Sequence, residues 1–429
     1  MTTQPLNNPS ATDDGATVTA QQEGFSWRIF GPGILMATAA IGGSHLISST
    51  QAGALYGWQL AIMIILANVF KYPFFRFGTD YVYDTGESLI AGYAKRSKAY
   101  LWIYFLLSIL SAVISTGAVS LIAAVILGFM LPASLGLSTM SLALIIVAVS
   151  WFFLIAGHYK LLDGVTKWIM IALTSATVAA VVIAAGKPTV MAVDFVAASP
   201  WNLATLGFIV ALMGWMPAPL EFAITSMWTS AKRKADNTTH RQGLLDFNVG
   251  YAVSAILALF FLALGVFVQY GSGQEIELVG GAYINQLINM YTATIGEWSR
   301  LLVAFVAFMC MFGTTITCAD GYGRANAECW RLIKGQSEIN KKQIAFWTTY
   351  AIGGGLVIIT FFTGQLGSML KFAMISAFVS APIFGWLNYS LVRSHQKISA
   401  GMNALSIAGL IFLAGFALLF LANLAGFLG

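Results

Sequence analysis

Two stretches hold residues that could do chemistry where an ordinary membrane helix would hold none. The first, Ala39-Ala40-Ile41-Gly42-Gly43-Ser44-His45, sits inside an apolar run from about 29 to 55. The second, Gly214-Trp215-Met216-Pro217-Ala218-Pro219-Leu220-Glu221, lies in the run from about 203 to 228. Either run is long enough to cross a bilayer, which takes roughly 20 apolar residues. Glycine is the poorest ordinary helix former, and two prolines two apart cannot both sit in a helix interior. Both helices are therefore expected to break in mid-span, where freed backbone groups must find partners within the protein or line a cavity. Paired broken helices in corresponding halves of a chain point to a solute-binding site.

The composition says what kind of scaffold positions these stretches. Of 429 residues 58% are hydrophobic and 9% charged, with mean hydropathy +0.78, whereas soluble domains carry about 25% charged residues. The chain is a polytopic membrane protein. Its net charge of +5 belongs to cytoplasmic loops and not to a nucleic-acid surface. Cys310, Cys318 and Cys329 share one apolar segment without the close spacing of a metal pair, and read as reduced core residues. Residues 1–25 lack the basic start and apolar core of a signal peptide and read as a disordered cytoplasmic tail. No nucleotide-binding motif is present, so transport driven by ATP within this chain is not expected, and neither enzyme chemistry nor a cofactor is suggested.

Eleven apolar spans are expected, near 29–56, 58–80, 99–130, 138–157, 164–186, 202–229, 244–269, 299–332, 343–363, 366–392 and 402–428. With the N-terminus inside, the inner connections carry Lys95, Arg96, Lys98, Lys160, Lys167, Lys232, Arg233, Lys234, Arg241, Arg331, Lys334, Lys341, Lys342, Arg393 and Lys397. The outer ones carry only Lys187, Arg300 and Lys371. Basic residues concentrate on the cytoplasmic side, which puts the N-terminus inside and the C-terminus outside a cell or inner membrane. The broken spans are the first and the sixth. Five is odd, so two five-span halves, 29–186 and 202–392, would enter the bilayer from opposite sides, as in an inverted-topology repeat. Span 402–428 is an addition, and 26–429 form one transmembrane domain.

The frame around the first break resembles a known family. Gly31-Pro32-Gly33, then Gln51-Ala52-Gly53-Ala54 and Gly57, look like the first helix of the NRAMP (natural resistance-associated macrophage protein) divalent-metal transporters, whose pattern there is GPG, DPGN, QAGA and G. Leu66-Ala67-Asn68, Thr314-Thr315-Ile316-Thr317 and the stretch from Gly214 to Ser226 are similar to the family's second, eighth and sixth helices. The resemblance covers residues 28–428. It implies an all-α membrane protein of 11 transmembrane helices with a LeuT-like 5+5 inverted repeat, a metal cargo and coupling to protons. The departures sit where cargo binds. The family's ligating aspartate, asparagine and methionine fall, without a gap, on Gly42, His45 and Ala218, and the asparagine after its MPH falls on Glu221. The acids associated with proton movement on the third helix have no counterpart between Ala99 and Met130.

Two site chemistries stay open. For a metal ion, His45 would supply an imidazole suited to Mn, Fe, Co or Zn and Glu221 a carboxylate one turn beyond Ala218, with carbonyls freed at Ala39–Gly42 and Met216–Ala218 completing the shell. For a small organic carboxylate or amino-acid-like solute, Gly42, Gly43 and Ser44 would present N–H groups at the start of a half-helix, with His45 adding attraction. The bland readings are a histidine that ties helices together and glycines that allow close packing. An intramembrane acid such as Glu221 is a functional candidate by default. Trp215 would cover the site and Gln51 would line it. Lys71 and Arg76 could form a cytoplasmic gate with Asp320 or Glu328, although Asp320, Arg324 and Glu328 also fit an i,i+4 ladder. Asn248 and Asn388 are coupling or packing groups. The expected partners are the lipid bilayer, the solute or ion, and a proton as coupling ion. A non-transporting sensor is the third reading, disfavoured because no segment is long enough for an output domain.

Overall fold

The computed structural model describes residues 29–156, 159–188, 191–277, 280–362 and 364–428, and of residues 159–167, 169, 170, 280 and 281 the backbone alone. The tail expected at 1–25 lies outside the described residues. All the regular structure described is helical. The first apolar run forms α1 (Pro32–Ala40), a π-helical turn (Ser44–Ser49) and α2 (Thr50–Tyr56), so the helix does break at Ile41–Gly43. There follow α3 (Ala61–Thr85), α4 (Leu89–Arg96), α5 (Lys98–Met130), α6 (Thr139–Ile155) and α7 (Tyr159–Ala185). The second broken run forms α8 (Leu203–Gly214) and α9 (Glu221–Asp236), separated by the two prolines. The chain then continues through α10 (His240–Val268), α11 (Gly280–Ile295), α12 (Arg300–Ile333), α13 (Lys341–Phe361), α14 (Leu366–His395) and α15 (Ala400–Leu424). Seven described helical segments are long and apolar enough to cross a membrane, and Thr139–Ile155, Ile171–Ala185 and Leu203–Gly214 are shorter apolar helices.

Two helices were not anticipated. The connection near 271–297 was read as an outer loop, yet it contains α11, whose Tyr283, Ile284, Leu287, Ile288 and Tyr291 are buried. Its apolar residues recur every three or four positions in a segment too short to span. The short α4 is capped by the Ser88 hydroxyl, which accepts from the Ala91 N–H, and carries Lys95 and Arg96 in its last turn. Those cations suit the negative end of a helix.

The packing of the broken helices is partly reciprocal. α1 and α2 lie along α10, while α9 lies along α3 and α8 lies chiefly along α14, touching α3 less. The first broken helix thus packs on the helix that follows the second break, and α9 of the second packs on the helix that follows the first. Two halves related by an inverted repeat would exchange partners in this way.

Glycine sets how closely these seams approach. A methyl group on Gly33 would stand 2.0 Å from the Asp246 carbonyl oxygen, and one on Gly250 would stand 2.1 Å from that of Gly33. Further along, Gly53 meets the Leu262 oxygen at 2.0 Å and Gly265 the Thr50 oxygen at 2.1 Å. The GPG and QAGA frame is therefore the footprint of α10. Asp246 completes the seam from the α10 side. It is 3% exposed and accepts from the Gly31 N–H at 3.0 Å and the Gly33 N–H at 2.7 Å, both at the start of α1. A carboxylate suits that position because it satisfies orphan N–H groups at the positive end of the helix. Asp246→Ala removes both bonds. Since bonds to charged groups are each worth about 1.5–3 kcal/mol, the variant is expected to lose about 3 kcal/mol of stability. Thermal unfolding in detergent is the check, and a wild-type midpoint would refute the anchoring role.

Candidate functional site

At the first break, side chains take up the freed carbonyls. Thr314 Oγ1 donates to Thr38 O at 3.0 Å and the Cys310 thiol donates to Ile41 O at 3.2 Å. The Ser44 hydroxyl lies 3.0 Å from the Trp215 carbonyl oxygen, so it bridges the two breaks. It also lies 3.0 Å from His45 Nδ1.

The second break is held by a lysine. Lys71 on α3 is fully buried, and its Nζ donates to Met213 O at 2.5 Å, Pro217 O at 2.9 Å and Gly214 O at 3.2 Å. The Phe378 ring centroid is 5.9 Å from the same nitrogen. Beyond the break, Glu221 is the first residue of α9, where the helix dipole favours an anion. Glu221 is 6% exposed, its Oε2 has no hydrogen-bond partner, and it interacts electrostatically with Lys71.

A cavity of about 10 Å³ lies between the breaks, room for about one water molecule. Its walls are Ala39 and Gly42 from the first break, Trp215, Ala218 and Glu221 from the second, and Ser115, Val119, Thr314, Cys318 and Tyr322 from α5 and α12. A second cavity of similar size adjoins it through Ser115, Ala218 and Tyr322, and is lined further on by Ser111, Ser376 and Ser380. Small polar groups thus continue away from Glu221.

Several expected site residues lie apart from that cavity. His45 was read as a metal ligand, but its Nε2 sits 3.0 Å from the Ser254 carbonyl oxygen on α10 and its Nδ1 faces Ser44, so it ties the first break to α10. Gly43 was read as part of an anion-binding turn. A methyl group there would meet Ile122 at 2.9 Å, Leu370 at 3.2 Å and Trp215 at 3.4 Å, so the position is filled by packing. Gln51 reaches outward to the Glu277 carbonyl at 3.4 Å. The gate of Lys71 with Asp320 is not formed: Lys71 holds the second break, and Asp320 accepts from Arg324 at 2.7 and 2.8 Å. Arg76 pairs with Asp80 at 3.2 Å, and Glu328 pairs with Arg331 at 2.6 Å. Asn388 donates to Phe74 O at 2.9 Å and accepts from the Tyr93 hydroxyl, a packing role, while Asn248 accepts from Tyr72 at 2.8 Å.

Other residues at the site were not anticipated. Cys318 and Tyr322 line the cavity, and Cys318 interacts electrostatically with Glu221. The readable signal was spacing, since Thr314, Cys318 and Tyr322 recur every four residues and so share one face of α12. Among the described residues no group of three or more His, Cys, Asp and Glu side chains is gathered as a metal site.

A helical membrane bundle whose two broken helices enclose a buried carboxylate with one oxygen free of hydrogen bonds is a membrane transporter in architecture. Residues 33–423 match the Nramp (natural resistance-associated macrophage protein-like) family, and the chain belongs to it. An uncharacterized protein of Pasteurella multocida is 55% identical over 420 residues, 96% of either chain. The manganese transporter of Eremococcus coleocola, solved with an aromatic bis-isothiourea substituted compound, superposes with a TM-score of 0.71 at 13% identity, over 94% of this chain and 88% of that one. Mhp1, a nucleobase-cation-symport-1 family transporter in a closed conformation with bromovinylhydantoin bound, gives 0.60 at 14% identity, over 92% and 93%. At such identities the likeness is one of fold, the LeuT-like fold of these transporters.

Proposed function

We propose that the protein is a secondary active transporter that carries a divalent transition-metal ion of the Mn or Fe class by alternating access, with Glu221 as the charged ligand. The observation that carries this reading is the cavity at Glu221, which has room for one water or one bare ion and holds a carboxylate oxygen without a partner. Family membership and the shared fold with a protein named as a manganese transporter support a metal cargo. The Cys318 sulfur would add a soft donor, which suits transition metals better than Mg or Ca, and backbone carbonyls at Ala39 and Ala218 would complete the shell. If a proton is coupled to cargo, Glu221 and Lys71 are the ionisable groups at the break, because α5 has no acid at all. The N-terminus lies on the cytoplasmic side in this reading, as the basic loops indicate.

A small organic carboxylate or amino-acid-like solute is the second reading, and two observations favour it. No three-donor metal group is assembled among the described residues, and Lys71 lies close enough to interact electrostatically with Glu221. Melting of the purified protein against Mn²⁺ and a panel of small carboxylates and amino acids separates the two, since a ligand at about 100 times its dissociation constant stabilises by about 2.7 kcal/mol. Silence with Mn²⁺ and a shift with one carboxylate would overturn the metal reading. Gly42→Asp sharpens the comparison. A β-carbon at Gly42 would make ordinary contacts, 3.4 Å to Met311 and 3.5 Å to Thr314, and Gly42 lines the same cavity as Glu221. Because cation affinity rises with ligand charge, this variant is expected to bind Mn²⁺ about tenfold more tightly by calorimetry.

A further inference from the structure

The two breaks are stabilised by different means. The first uses neutral donors, the Thr314 hydroxyl and the Cys310 thiol, for one carbonyl each. The second places one buried nitrogen against three carbonyl oxygens, those of Met213, Gly214 and Pro217, at 2.5 to 3.2 Å. The first two belong to the last turn of α8, a 12-residue helix whose C-terminal carbonyls carry the negative end of the dipole, and Met213 O also accepts from the Met216 N–H at 3.4 Å. Unwound carbonyls and half-helix C-termini are also where transporters of this architecture coordinate monovalent cations. Glu221 supplies the counter-charge on the far side of the break.

We propose that Lys71 is a tethered monovalent cation seated in a carbonyl cation site, and that without its side chain this site binds a free alkali-metal or alkylammonium ion. The ammonium does the work a bound ion would do. It holds the Gly214–Pro217 backbone open and keeps Glu221 facing the cavity, and the tether makes that work independent of the salt around the protein. A neutral hydrogen-bond donor could satisfy the same carbonyls one at a time, but it would leave the dipole end and Glu221 without a positive charge. This role concerns the break itself and holds whichever cargo the transporter carries.

The test needs no cargo. The full-length protein and Lys71→Ala are melted in detergent with choline as the only cation, and then with Na⁺, K⁺ or methylammonium added. Wild type is expected to melt at the same temperature in all four. Lys71→Ala is expected to melt several degrees lower in choline and to recover in a saturable way with at least one of the small cations. Recovery no greater than that of wild type in every cation would overturn the proposal. Should Lys71→Ala not yield folded protein, Lys71→Gln decides, because it keeps N–H donors and drops the charge. A wild-type melting temperature for Lys71→Gln would show that hydrogen bonding alone is needed and would overturn the tethered-cation role, whereas a fall, or failure to fold, supports it.

Discussion

Glu221→Gln is expected to abolish saturable binding and uptake while leaving the overall fold in place. The substitution keeps size and shape and removes the charge that faces the cavity. Truncating one partner of a buried charged contact costs about 2–5 kcal/mol of binding, about 30-fold or more in affinity. Uptake into proteoliposomes and calorimetry with the best ligand of the melting panel would show it. The same change leaves Lys71 buried without its counter-charge, a situation that typically destabilises by about 3–5 kcal/mol. Loss of stability and loss of binding can be told apart by melting Glu221→Gln with and without ligand: a midpoint lowered in the absence of ligand reports the stranded lysine, and a missing ligand shift reports the lost site. Binding that survives in Glu221→Gln would remove this residue from the site.

Gly53→Ala is expected to be at least as damaging, although it touches no cargo. The added methyl would stand 2.0 Å from the Leu262 carbonyl oxygen and 3.0 Å from the Val266 nitrogen, so backbone meets backbone and no side chain can turn away. Ordinary overpacking costs about 1–3 kcal/mol, and forcing two helix backbones apart exceeds that. Loss of the monodisperse peak in size-exclusion chromatography, or a steep fall in melting temperature, would be the readout. Gly42→Ala serves as the control: its contacts of 3.4 and 3.5 Å fall in the ordinary range, so it should melt close to wild type. If Gly53→Ala behaves like Gly42→Ala, the close approach of α2 to α10 is not what the QAGA motif is for.

The difference between Gly43 and Gly42 shows where sequence reasoning stops. Both were read as part of one anion-binding turn. Only Gly42 reaches the cavity, because the chain turns at Ile41–Gly43 and the following π-helical turn carries Gly43 against Ile122 and Leu370. His45 was separated from Glu221 for a related reason, since α10 offers the Ser254 carbonyl on the other side of the helix. Lys71 was legible as a buried lysine, but its partners were sought among carboxylates, whereas the structure supplies three backbone oxygens. Such oxygens exist as acceptors only because the helix breaks.

The sequence by itself determined the class of molecule, the two broken helices and the glycine frame around the first of them. Those features are local: apolar length, the weak helix propensity of glycine, and the incompatibility of paired prolines with a helix interior act on the residues that carry them. Only the tertiary structure decided which side chains share the cavity. That outcome depends on how α5, α10 and α12 rotate against the breaks, and so on contacts between residues hundreds of positions apart. Asp246 at the start of α1 and Cys318 beside Glu221 became visible in that way, and so did the lysine that stands where an ion would.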